Sequence, residues 1–173
     1  MDVPTRCRAC ISRRILTALE DVVTPEEKLQ QQGIVLKPVE RGNRPLVPSV
    51  RSGNMLYLSG SGPNWGDKTW KGQLGKEYTT QQGYEAARGC ALNLLSAAKS
   101  ALGDLSRVKQ VVKVLGMVNC VSGFTEQPQV INGCSDLLVE LFGENGQHAR
   151  SAVGMAGLPG GIPVEIEMIL EVE

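Results

Sequence analysis

The segment from Val164 to Val172 alternates between apolar and mostly acidic side chains, and this alternation constrains the fold more than any other feature. The apolar set is Val164, Ile166, Met168, Leu170 and Val172. The intervening acidic residues are Glu165, Glu167 and Glu171. Because successive side chains of a strand point to opposite faces, the segment is predicted to be a β-strand with one face on a core. Its other face carries carboxylates.

Four more strands and two long helices are predicted upstream of that strand. Ser52-Gly53-Asn54 is a hairpin turn between Leu46–Arg51 and Met55–Ser59. Thr79 caps a helix whose apolar stripe runs from Ala87 to Leu102 and ends at Gly103. The remaining predicted elements are a β-branched strand over Val108–Val121, buried on both faces, a helix entered after Thr125 and closed at Gly143, and a strand over Ser151–Ala156.

The resulting order, ββαβαββ, predicts an α+β fold with one sheet and both helices on one face. The chain offers too few further elements to cover the other face. This shortage favours oligomerisation. The loop from Gly60 to Tyr78 lacks hydrophobic periodicity and is predicted to run over the surface with Trp65 and Trp70, which either shape a cleft or cover a neighbouring subunit.

Composition removes several classes of function. The 18 basic residues balance 18 acidic ones, which argues against binding to nucleic acid, and no apolar run approaches a bilayer span of roughly 20 residues. With His148 as the only histidine, a multi-histidine zinc site cannot be built, so no metal or cofactor is expected. The five scattered cysteines are expected to be reduced, and Cys7 and Cys10 lack a second ligand pair for zinc.

Residues 1–23 differ from the rest and are treated as a separate extension. Arg6, Arg8, Arg13 and Arg14 combine with an apolar helical stripe into a basic amphipathic segment. Two interpretations stay open, a mitochondrial or plastid targeting signal and an arm that docks on the domain or on a protein partner. Without targeting, a cytoplasmic location is expected. Thr24-Pro25-Glu26-Glu27 then forms a capping box that opens the domain of residues 24–173.

Candidate chemistry lies near the C-terminus. Arg150 begins one predicted strand, while Glu165 and Glu167 share a face of the next. If these groups meet, the guanidinium can bind an anionic substrate and a carboxylate can move protons or orient water. The alternative is a structural cross-strand ion pair between Arg150 and Glu165 or Glu167.

At these positions the chain resembles the Rid (reactive intermediate deaminase, YjgF-like) family. The similar motifs are Ala149-Arg150-Ser151-Ala152-Val153, Leu158-Pro159, Val164-Glu165-Ile166-Glu167, the hairpin from Ser52 to Gly60, and Val130-Ile131-Asn132-Gly133. The resemblance covers residues 24–173 and points to a longer subgroup of the family. It implies a chorismate-mutase-like fold and a homotrimer with sites in clefts between subunits.

The implied activity is hydrolysis of 2-imino or enamine acids to 2-keto acids and ammonia without a cofactor. By position, Arg150 would clamp the substrate carboxylate and Glu165 would orient water. Ser59, Gly60 and Ala152 would offer backbone groups, and Asn132 would line the cleft. Three positions depart from common family residues: Leu46 stands for a Tyr, Ser61 for a Gln and Ala152 for a Cys. An alternative is therefore a subunit that keeps the fold for small-ligand binding or assembly without turnover. A ribonuclease is a third alternative, which the neutral charge disfavours.

Overall fold

Three helices lie on one face of a five-stranded sheet in the computed structural model, which describes residues 23–43 and 45–173. The helices are α1 (Pro25–Gln31), α2 (Thr80–Leu102) and α3 (Gln127–Phe142). The strands are β1 (Ser49–Ser52), β2 (Met55–Ser61), β3 (Val108–Asn119), β4 (Ala149–Met155) and β5 (Val164–Val172). Their spatial order is β1-β2-β5-β3-β4, with β3 and β4 parallel and the other pairs antiparallel. The α+β fold and the ββαβαββ order are confirmed.

Two of the helices begin as the sequence predicts. Thr24 accepts a hydrogen bond from the Glu27 backbone while the Glu27 side chain accepts one from Thr24, and Thr79 and Gln82 form the same capping box before α2. Helix α3 also starts after Thr125 and ends at the cap residue Gly143, as predicted, although its N-cap position, Glu126, makes no side-chain hydrogen bond to the helix.

Strand β3 is buried on one face, and the prediction that both its faces are buried is wrong. Val114 and Val118 are fully buried beneath the helices, whereas Leu115 and Met117 on the opposite face are partly exposed. The cause is the arrangement of the layers, because the helices pack on one face and no described segment covers the other.

The uncovered side of the sheet is called the open face. It carries apolar side chains among its carboxylates. Val50, Tyr57 and Val153 keep 56%, 45% and 40% of their surface exposed. Large apolar side chains grouped on one sheet face are typical of a surface that another chain covers. The expectation that a second subunit lies there stays a prediction.

The loop after β2 is more deeply packed than the sequence predicts. Trp70 is only 5% exposed and Leu74 is fully buried, and the rings of Trp70 and Tyr78 lie 5.1 Å apart. The Lys68 ammonium lies 3.9 Å from the centre of the Trp70 ring. Trp65 also packs against the core. Both tryptophans therefore contact this chain's own core, so the expectation of tryptophans that cover a neighbouring subunit is wrong for Trp70, whereas the loop itself runs over the surface as predicted.

Some expectations concern residues 1–22, including the basic extension and the Cys7-Cys10 pair, and these lie outside the described residues. The three described cysteines, Cys90, Cys120 and Cys134, are free thiols, as expected. Across residues 23–43 and 45–173, no helix combines the length and apolar character needed to cross a membrane.

Candidate active site

Arg150 projects from the edge strand β4 toward helix α3. Its register partner on β3 is Val114, which is buried beneath the helices, so both side chains leave the same face. Nη1 of Arg150 donates hydrogen bonds to Asn132 Oδ1 at 2.8 Å and to Ser135 Oγ at 2.9 Å. Asn132 and Ser135 stand three residues apart on α3, and that spacing puts them on one helix face. The described hydrogen-bond partners of the guanidinium are therefore neutral oxygens.

The charge of Arg150 has no counter-ion among the described residues, where the ion pairs involve other cations. The interpretation as a cross-strand pair with Glu165 or Glu167 is wrong. Strand β3 separates β4 from β5, and the glutamates lie on the open face while Arg150 lies on the helix face. A half-buried guanidinium without a carboxylate partner is available to an anionic ligand.

His148 completes the surroundings of Arg150. Its Nε2 lies 3.0 Å from Ser135 Oγ, and its Nδ1 lies 2.6 Å from the Gly146 carbonyl oxygen. Sequence reasoning missed both His148 and Ser135 as parts of the site. The spacing of Ser135 from Asn132 on a predicted helix was the signal that could have found the serine. We call Asn132, Ser135, His148, Arg150 and Ala152 the arginine half-site.

Glu165 lies on the open face of β5, next to the end of β2. The backbone of Gly60 approaches it so closely that a Cβ added at Gly60 would collide with Glu165 Oε1. Burial raises the pKa of Glu165, and the neighbouring charge of Glu167 raises it further. A carboxyl group with a raised pKa can exchange protons closer to neutral pH than an ordinary glutamate.

A cavity of about 390 Å³ opens at the same end of the sheet. Its lining includes Leu46 and Val47 before β1, Ser59, Gly60 and Ser61 on β2, and Leu94 and Ala97 on α2. Ser59 is already engaged: its hydroxyl donates to the Val47 carbonyl at 2.7 Å and its N–H to that of Pro48 at 3.0 Å. Both of its donors are therefore engaged within the chain. We call Ser59, Gly60 and Glu165 the carboxylate half-site.

The predicted site residues thus fall into two groups that one chain does not bring together. Arg150, Asn132 and Ala152 belong to the edge strand β4 and helix α3, whereas Ser59, Gly60 and Glu165 belong to β2 and β5. Within the described part of the chain, no three histidine, cysteine, aspartate or glutamate side chains converge as metal ligands.

Comparison with known proteins shows the family to which the chain belongs. The family model described as "YjgF/chorismate_mutase-like, putative endoribonuclease" matches residues 26–160. The chain belongs to this family. Among its relatives, Protein TCP17 of Trypanosoma cruzi is 46% identical over 145 residues, which cover 83% of this chain and 91% of TCP17.

Two solved structures of similar proteins share the fold. Protein Atu1372 of Agrobacterium tumefaciens is 41% identical with a TM-score of 0.80, and the match covers 87% of this chain and 94% of that one. A protein of Shewanella oneidensis named as a "putative endoribonuclease" is 35% identical with a TM-score of 0.81, over 86% of this chain and 99% of that one. The resemblance to the YjgF-like family and the chorismate-mutase-like fold are thereby confirmed.

Proposed function

We propose that this YjgF-like protein hydrolyses reactive 2-imino or enamine acids to 2-keto acids and ammonia, at sites formed between subunits. One observation carries the proposal. Arg150 is half-buried, fixed by neutral hydrogen-bond partners and free of a described counter-ion. A guanidinium in this state suits a small substrate with a carboxylate.

Arg150 binds the substrate carboxylate through the N–H groups that its bonds to Asn132 and Ser135 leave free. A planar guanidinium can hold a carboxylate by two parallel hydrogen bonds, which fixes the orientation of the adjacent C=N carbon. This fixed orientation brings the reacting carbon to one place relative to a water molecule.

Glu165 supplies the proton transfer. Its carboxylate takes a proton from the water as the oxygen bonds to the C=N carbon, and it passes that proton to the nitrogen to give a carbinolamine. It then takes the remaining hydroxyl proton and passes it to the nitrogen as the C=O bond forms, the C–N bond breaks and ammonia leaves. The products are a 2-keto acid and ammonia, and no other reactant is consumed. General acid-base catalysis of this kind contributes about 10²–10⁴-fold. An imine is already electrophilic, so the step needs no activated nucleophile.

Assembly brings the two half-sites together. A head-to-tail interface, repeated around a closed ring, pairs one patch of each subunit with a different patch of the next. We propose a homotrimer in which the arginine half-site of one subunit faces the carboxylate half-site of its neighbour. The apolar residues Val50, Tyr57 and Val153 on the open face support burial of that face between subunits.

The direct test supplies the purified full-length protein with an imine made in situ by an amino acid oxidase and follows release of the 2-keto acid. Arg150→Ala is expected to lower kcat/KM by about 100-fold or more, because the carboxylate loses its charge-assisted partner. Arg88→Gln is the matched control, since the Arg88 side chain lies on α2 and, among the described residues, bonds Gln32 and Glu140 rather than any residue of the half-sites. No acceleration over buffer by the wild-type protein would remove the proposal.

A second candidate is a subunit that binds a small carboxylate ligand or assists assembly without turnover. The engaged donors of Ser59 favour it, as does Leu46, which offers no hydroxyl to a substrate or water. Calorimetry with 2-oxobutyrate separates the two. Binding of 2-oxobutyrate that depends on Arg150, combined with no imine hydrolysis, would support the second candidate. Release of RNA fragments in a parallel assay would instead point to a ribonuclease.

A further inference from the structure

The one histidine of the chain belongs to a hydrogen-bonded series that ends on the guanidinium of Arg150. The Gly146 carbonyl contacts His148 Nδ1 at 2.6 Å, His148 Nε2 contacts Ser135 Oγ at 3.0 Å, and Ser135 Oγ accepts from Arg150 Nη1 at 2.9 Å. Each contact lies within ordinary hydrogen-bond distance. His148 therefore reaches Arg150 through a single hydroxyl group.

The chemistry of the end groups assigns every proton in this series. A carbonyl oxygen only accepts, so His148 Nδ1 carries the hydrogen toward Gly146. In a neutral ring Nε2 is then an acceptor, and the Ser135 hydroxyl donates to it. With its hydrogen directed at His148, the Ser135 oxygen turns its lone pairs toward the arginine. The neutral histidine thus fixes the orientation in which Ser135 holds Arg150.

We propose that neutral His148 is a positioning residue for Arg150, acting through Ser135, and that protonation of His148 releases the guanidinium from its ligand-binding orientation. This proposal rests on the proposed function only where it names the ligand as a substrate carboxylate. The effect of His148 on Arg150 depends on groups of this chain alone.

Protonation reverses the interactions that hold the series together. Both nitrogens of an imidazolium donate, so Nε2–H would point at the Ser135 oxygen, which would then accept from two cations, and the Ser135 hydrogen would lose its acceptor. The ring would also place a positive charge beside the guanidinium. Burial lowers the pKa of His148 and the charge of Arg150 lowers it further, against the opposing effect of the Gly146 carbonyl. The structure therefore favours the neutral ring.

The other charged groups on the elements around His148 are directed elsewhere. On α3, the Asp136 carboxylate accepts from Tyr84 at 3.0 Å, and Glu140 pairs with Arg88. Glu144, in the short turn before His148, is exposed, and Lys113 of β3 donates to Ser151 at 2.9 Å. Among these charged side chains, Arg150 is the one whose charge lowers the pKa of His148.

The first measurement is the pH dependence of KM for the imine between pH 5.5 and 8. In the wild-type protein, KM is expected to rise about tenfold as the pH falls, with a smaller change in kcat, because loss of one charge-assisted contact weakens binding by about that factor. In His148→Gln, Oε1 accepts from Ser135 without titrating, so its KM is expected to stay low and independent of pH. His148→Ala is expected to have a raised KM throughout.

Tyr84→Phe is the matched control, because it removes a 3.0 Å hydrogen bond to α3 that does not touch Arg150. Its pH profile is expected to follow that of the wild type. If His148→Gln keeps the wild-type pH dependence, or His148→Ala keeps the wild-type KM, the positioning role is overturned.

A second measurement separates this proposal from the proposed function. In ¹⁵N NMR spectra without substrate, the two Nη groups of Arg150 are expected to give distinct signals at pH 7.5 in the wild type and in His148→Gln. These signals are expected to average in His148→Ala and in the wild type at pH 5.5. If the Arg150 signals are insensitive to His148, the proposal fails even where the protein is an active deaminase. If they respond as expected in a protein that hydrolyses no imine, the positioning holds and only the ligand assignment fails.

Discussion

The two half-sites place their charged groups in opposite electrostatic surroundings. In the arginine half-site, a cation is fixed by the neutral oxygens of Asn132 and Ser135 and has no described counter-ion. In the carboxylate half-site, Glu165 faces the like charge of Glu167, and its pKa is raised. A group that binds must keep one charge and one orientation, whereas a group that moves protons must change its charge. Their separation on opposite faces of the sheet lets each environment be set independently.

The largest expected effect comes from mixing two inactive variants. Arg150→Ala and Glu165→Gln are each expected to lose most activity. When equal amounts are unfolded and reassembled together, about one quarter of the sites combine an intact arginine with an intact glutamate from a neighbouring subunit. Activity is expected to return to about that fraction of the wild-type value.

The control for this experiment mixes Arg150→Ala with the double variant, which cannot restore any site. Absence of recovery in the first mixture, with normal oligomers by light scattering, would mean that the two half-sites do not meet between subunits.

Gly60→Ala tests the carboxylate half-site alone. The added methyl group would displace the Glu165 carboxylate, and a misplacement of about 1 Å costs on the order of 10²-fold in rate. We expect such a loss in kcat with KM nearly unchanged. Gly157→Ala is the control, because its added Cβ meets no atom within 4 Å. A fully active Gly60→Ala protein would contradict the role of Glu165.

Glu167→Gln tests the electrostatic surroundings of Glu165, and its expected effect on activity is smaller than that of Gly60→Ala. The charge of Glu167 raises the pKa of Glu165, so removing that charge lowers the pKa toward its ordinary value. The base form of Glu165 then persists to lower pH, and the acid limb of the kcat profile is expected to move down by less than about one pH unit. Glu171→Gln, farther along β5 and hydrogen-bonded to Asn54, is expected to leave the limb in place.

The smallest expected effect concerns stability and the arginine half-site. The pKa of His148 is lowered from its ordinary value of 6.5 on folding, so the unfolded chain takes up a proton first as the pH falls. The contribution of neutral His148 to stability is therefore present above pH 6.5 and is lost as the pH falls below that value. Denaturant unfolding is expected to show a shallower acid decline for His148→Gln. An equal decline in both proteins would contradict the lowered pKa.

The sequence predicts local structure in this chain better than the placement of its site. Capping boxes at Thr24 and Thr79 and the alternation along β5 depend on neighbouring residues, and the structure confirms them. The face on which Arg150 lies was not predictable, because β4 mixes small, polar and apolar residues without alternation. Its separation from Glu165 depends on β3 lying between β4 and β5, which is a long-range pairing.

Two other features of the structure could not be predicted from the sequence, because they too depend on contacts between residues far apart in the chain. The burial of Trp70 depends on contacts with Tyr78 and the core that no periodicity encodes. His148 matters through Ser135, a residue on a different element. Side chains that meet across elements leave no regular spacing in the sequence.

The position of β5 also shapes how the chain reaches its native state. This strand pairs with both β2 and β3, and Met55 meets Glu171 across most of the sequence. Until β5 arrives, the hairpin of β1 and β2 and the pair of β3 and β4 each present an unpaired edge. Such non-local pairing slows folding, since the entropy of loop closure is lost before the contacts form. Closure of the sheet by β5 is thus expected to be the late step of folding, and delay there exposes edges that favour aggregation.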